Sequence, residues 1–131
     1  MQRRALLLVA TAIMAAAAPA ARAADLGTAF TPEGFAAAQA AGKPILVHIW
    51  ATWCPTCAKQ TPTLTGLLDD TAFRDMAVFR VNFDTQKDTV RAFGATMQST
   101  LIVFHGKTET GRAVGETKPE AIRALLATAL G

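Results

Sequence analysis

Ile45-Leu46-Val47-His48-Ile49-Trp50 is an almost unbroken apolar run of strand length, the pattern of a strand buried on both faces. Ahead of it the rhythm is helical. Thr31 is a predicted N-cap, Pro32 suits the first helical position and Glu33 complements the positive helix end. The Ala-rich run continues to Ala41, where Gly42 and Lys43-Pro44 stop it. Past the strand, Ala58 to Leu68 reads as a helix with a kink expected at Pro62. Met76 to Phe83 reads as a second buried strand, Thr89 to Phe93 as a short helix ending at Gly94, and Thr100 to Phe104 as a third strand. Gly106 begins a turn, Gly111 to Gly115 is a short edge strand, and Lys118 to Leu130 is a final helix with an apolar stripe of Ile122, Leu125, Leu126 and Ala129. Strands that alternate with helices before a closing hairpin and helix predict an α/β fold, a central mixed β-sheet with helices on both faces.

The N-terminus follows another logic. Met1-Gln2-Arg3-Arg4 is a short positive segment, Ala5 to Ala18 is apolar and uncharged, and Ala21-Arg22-Ala23 is a small-x-small cleavage signal. That layout predicts a secretory signal peptide over residues 1–23 and one domain over residues 24–131. The apolar run falls short of the roughly 20 residues that span a bilayer. An uncleaved anchor is the rival expectation. Removing residues 1–23 takes Arg3, Arg4 and Arg22 with it, so 13 basic residues fall to 10 against 10 acidic ones and the formal charge of +3 becomes zero. A nucleic-acid partner then has no electrostatic support. The expected product is exported, periplasmic in a bacterium, soluble and monomeric.

Candidate chemistry centres on the chain's two cysteines, Cys54 and Cys57. A structural disulfide stabilises most by closing a long loop, and this pair would close almost none. The spacing suits exchange better. Cys54 stands where a buried strand gives way to a helix, and free N–H groups and the positive helix end favour a thiolate there. Cys57, one turn later and more buried, is the expected resolving thiol. Pro55 fixes the turn, and Thr56 offers a hydroxyl near the sulfurs. The same spacing occurs in half of a zinc site, but a four-ligand site needs two more ligands, and His48 and His105 lack local zinc-finger spacing.

"VHIWATWCPTC" resembles the strand and active-site segment of the thioredoxin superfamily, which commonly reads V-D-F-W-A-x-W-C-x-x-C. Pro62 matches the family's helix-kinking proline, and "FRVNFD" (Phe79 to Asp84) matches the strand after the active-site helix. "FGATMQSTLIVF" (Phe93 to Phe104) and "GRAVGETKPEAIRALL" resemble the later segments, so nearly all of residues 30–131 is covered. The resemblance implies the thioredoxin fold and a protein disulfide oxidoreductase similar to periplasmic thiol–disulfide interchange proteins. It implies protein thiols and disulfides as partners, a membrane redox partner, and no small cofactor. Reductant is the preferred direction.

Two positions depart from that pattern. The family's cis-proline is replaced by Ser99, and a cis bond before a non-proline residue costs about 2.5–4 kcal/mol, so a trans Gln98–Ser99 peptide is expected. By resemblance, Gln98 would pair its backbone with an incoming peptide, and loss of the proline opens the thiols to metals. His48 stands where many relatives carry a buried aspartate beneath the resolving cysteine. It is a candidate base for Cys57, with a neutral core histidine bonded to backbone as the alternative. Trp53 is expected at the rim, Trp50 beneath it, Arg80 in place of a buried family lysine, and Met97 in the loop facing the cysteines. The site is therefore Cys54, Cys57 and His48 for chemistry, with Trp53, Pro55, Thr56, Met97, Gln98 and Ser99 meeting substrate. The alternative function is copper or zinc handling through the same cysteines, with Met97 or His48 as a further ligand.

Overall fold

A computed structural model of the chain describes residues 26–131. The predicted targeting segment lies outside the described residues. The described residues form one five-stranded sheet in the order β1-β3-β2-β4-β5. Its strands are β1 (Thr28–Ala29), β2 (Pro44–Trp50), β3 (Ala77–Asn82), β4 (Thr100–His105) and β5 (Thr108–Val114). β1, β3 and β2 run parallel, and β4 and β5 are antiparallel to their neighbours, which gives the expected mixed sheet. The helices are α1 (Pro32–Ala40), α2 (Pro55–Asp69), α3 (Lys87–Ala92) and α4 (Pro119–Ala127).

Strand periodicity sorts the core. Ile45, Val47 and Ile49 of β2 pack with Ala38 of α1 and Val90 of α3 on one face. Leu46 packs with Leu64 of α2 and Ile122 and Leu126 of α4 on the other. Ile45, Leu46, Val47 and Ile49 are fully buried, each stabilising the fold by roughly 1.5–3 kcal/mol relative to exposure. On the α1 face, Phe35 packs against Phe30, Phe79, Phe93 and Phe104 with ring centroids 5.3–5.8 Å apart. By the same alternation His48 faces α2, and that placement sets up the site.

Several details differ from the sequence expectation. β1 was not foreseen, because two residues carry no period; Gly27, at φ +75°, lets the chain approach β3 where a Cβ would stand 2.4 Å from the Val78 carbonyl oxygen. β5 begins at Thr108 rather than Gly111, paired across a two-residue Gly106-Lys107 turn with Gly106 at φ +56°. α2 starts at Pro55, ahead of the expected Ala58, with Pro62 inside it. His105 ends β4 and its Nδ1–H donates to the Ala129 carbonyl at 2.7 Å. Asp70, after the end of α2, accepts from Ala72 N–H at 2.9 Å and pairs with Arg123 at 3.3 Å.

Candidate active site

β2 delivers the chain to the sheet's C-terminal end at Trp50, and a turn closed by Cys54 N–H donating to the Ala51 carbonyl (3.2 Å) leads into α2. Cys54 is the N-cap, in extended backbone conformation, and Pro55 is the first helical residue. Cys57 N–H donates to Cys54 Sγ at 3.1 Å, so one of the helix's unpaired N-terminal donors points at the candidate nucleophile. The two cysteines form a disulfide with a Cα–Cα distance of 5.3 Å. Cys57 was expected to be the more buried, but each is 4 % exposed.

His48 is 2 % exposed and its Nε2 lies 3.2 Å from Gln60 Oε1. Its hydrogen-bond partner is thus a side chain, not the backbone. Burial lowers its pKa from 6.5 to about 4; the Gln60 bond opposes this and the Arg80 charge adds to it. His48 is therefore neutral at pH 7. Arg80 stands opposite His48 in the β2–β3 register, with its guanidinium 6.0 Å from the Trp50 ring centroid. His48, Trp50, Cys54, Cys57, Thr61 and Arg80 line one cleft of about 270 Å³, which brings the histidine and both cysteines onto a shared space.

None of the six residues expected to meet substrate lines that cleft. Trp53 is 57 % exposed and its Nε1–H donates to Asp84 Oδ2 at 2.8 Å. Pro55 is exposed and Thr56 half-buried. β4 runs antiparallel to β2 with Thr100 opposite Ile49, so the preceding loop lies at the cysteine end of the sheet. In it Met97 is 49 % exposed, Gln98 half-buried and Ser99 buried. No cis peptide occurs among the described residues, and the Gln98–Ser99 bond is trans. Ser99 adopts φ +56°, which the sequence did not announce. Its carbonyl accepts from Gly115 N–H at 3.0 Å and Gln60 Nε2–H at 3.1 Å.

Sequence reasoning missed Gln60 and Asp84. The available signal for Gln60 was its place three residues after Cys57, on the same helix face. Asp84 follows β3 and meets Trp53 only through the fold. Among the described residues no three His, Cys, Asp or Glu side chains converge as a metal site.

The thioredoxin family model matches residues 28–128. A thioredoxin of Alicyclobacillus acidocaldarius subsp. acidocaldarius is 32% identical over 100 residues, 76% of this chain and 94% of that protein. A thioredoxin of Mycobacterium tuberculosis (strain ATCC 25618 / H37Rv) is 37% identical over 73 residues, 56% of this chain and 62% of that protein. Among solved structures, Trxlp from Edwardsiella tarda EIB202 superposes with a TM-score of 0.75 at 42% identity, covering 77% of this chain and 98% of that one.

Proposed function

This chain belongs to the thioredoxin family of thiol–disulfide oxidoreductases, and on that premise we propose that it is an exported reductant of protein disulfides. Cys54 attacks the partner disulfide and Cys57 resolves the mixed disulfide, with His48 accepting the Cys57 proton. Trp53, Pro55, Thr56 and the Met97–Ser99 loop receive the partner. The observation that carries this reading is Cys57 N–H donating to Cys54 Sγ at the start of α2, an arrangement that favours the thiolate at Cys54. Export rests on the residues 1–23 pattern. A reductant outside the cytoplasm needs a continuing electron supply, so the donor is a membrane protein, and the domain acts as a monomer without a small cofactor.

The test is expression of the full chain carrying Cys57→Ser in a Gram-negative host. The expected result is periplasmic protein beginning at Ala24, with partner proteins trapped on Cys54. Recovery of the variant with no mixed disulfide contradicts exchange, and retention in the cytoplasm contradicts export. Equilibration of the wild-type couple in thiol buffers reads direction. A potential toward about −270 mV supports the reductant, and one toward about −120 mV makes it an oxidant.

A further inference from the structure

We propose that Gln60 is a positioning residue, locking His48 in the Nε2–H tautomer and tying it to the Ser99 loop, so that Nδ1 is the ring atom that takes up a proton. The inference rests on the reading that Cys54 and Cys57 exchange disulfides with His48 as proton acceptor. It begins from the fully buried Gln60 amide. Gln60 Nε2 lies 3.1 Å from the Ser99 carbonyl oxygen and 2.9 Å from the Glu116 carbonyl oxygen. Both oxygens only accept, so the two amide hydrogens face them, and a flipped amide would set Oε1 against two carbonyls with no hydrogen between. The amide orientation is fixed by this chemistry.

Oε1 then faces His48 Nε2 at 3.2 Å and only accepts, so Nε2 donates. In neutral imidazole the other nitrogen is the lone-pair site, and that is Nδ1. During resolution the Cys57 S–H proton passes to Nδ1 across the shared cleft. The Cys57 sulfur attacks the Cys54 sulfur, and a Cys54–Cys57 S–S bond forms as the bond to the partner breaks. The partner leaves as a thiolate and takes up a proton from Nδ1–H or solvent.

Around His48 stand Gln60 of α2, Arg80 opposite it on β3 and the apolar Leu101 opposite it on β4, with Cys57 of α2 and the N-cap Cys54 lining the same cleft. Glu116 presents only its backbone to Gln60; its Oε1 accepts from Thr117 and Lys118 N–H. Protonation of His48 is thus opposed chiefly by burial, favoured by the Gln60 bond and opposed further by the Arg80 charge.

The test is two-bond ¹H–¹⁵N correlation NMR on histidine-labelled protein at pH 7, with His105 as internal contrast, since its Nδ1–H donates to Ala129. The two histidines are expected to show opposite tautomers, Nε2–H for His48 and Nδ1–H for His105. His48 as Nδ1–H overturns the proposal before any variant is made. Gln60→Met is expected to mix the His48 tautomers and slow mixed-disulfide resolution about tenfold. Because the Gln60 bond favours protonation of His48, Gln60→Met is also expected to move the pH profile of resolution downward. A variant that folds but leaves tautomer and profile unchanged overturns the proposal. Wild-type protein with the Nε2–H tautomer but no exchange activity supports the lock and overturns the exchange reading instead.

Discussion

Ser99 at φ +56° occupies backbone space that L-residues other than Asn and Asp rarely enter, at a cost of about 1–2 kcal/mol. Two hydrogen bonds to its carbonyl hold it there. Ser99→Gly is expected to raise stability by about 0.5–1 kcal/mol, the relieved strain less glycine's added unfolded-state entropy. Restoring the family proline is expected to do the reverse. Proline locks φ near −65°, far from the observed angle, so Ser99→Pro costs more than about 1 kcal/mol unless the loop refolds. Urea denaturation of both variants checks the pair; a proline variant as stable as the parent would show that the left-handed conformation is not the one held in solution. The sequence showed that a proline was missing and that the bond would be trans. It did not show the sign of φ, which depends on Gly115 and Gln60, residues distant in the chain.

At the scale of elements, α2 joins chemistry to helix architecture, because its N-cap side chain is also the candidate nucleophile. A serine hydroxyl is among the best N-caps, whereas alanine offers nothing to the Cys57 N–H. Cys54→Ser and Cys54→Ala both remove the disulfide, so comparing them isolates the cap. The serine variant is expected to be about 1 kcal/mol the more stable, with exchange abolished in both. Equal denaturation midpoints would mean that the Cys57 N–H finds another partner. The β2 run and the change from strand to helix at Cys54 were legible because they are written locally, in a continuous apolar stretch followed by a helical one. β1 and the early start of β5 were not, since edge pairing recruits residues with no period of their own.

At the scale of the whole molecule, one buried histidine ties folding to pH. His48 titrates near 4 when folded and near 6.5 when unfolded. Between those values the unfolded chain binds more protons, so stability falls as pH falls. From pH 7 to pH 4.5 the loss assigned to His48 is about 2–3 kcal/mol. His48→Gln removes that slope, so its stability relative to wild type is expected to improve by about this amount over the interval. Chemical denaturation at the two pH values measures the difference, and parallel losses in both proteins would place the acid sensitivity elsewhere. The sequence by itself determined the order of helices and strands, the layered mixed sheet and the Cys-x-x-Cys pair at a helix start, because periodicity and capping act over a few residues. Tertiary structure alone decided what His48 is. Its neutrality comes from burial between β2 and α2, and its tautomer from Gln60, whose amide is fixed by carbonyls 39 and 56 positions away. The Trp53–Asp84 bond likewise spans 31 positions. Such pairings leave no trace in local pattern, because they exist only once separate elements pack and buried polar atoms must find partners.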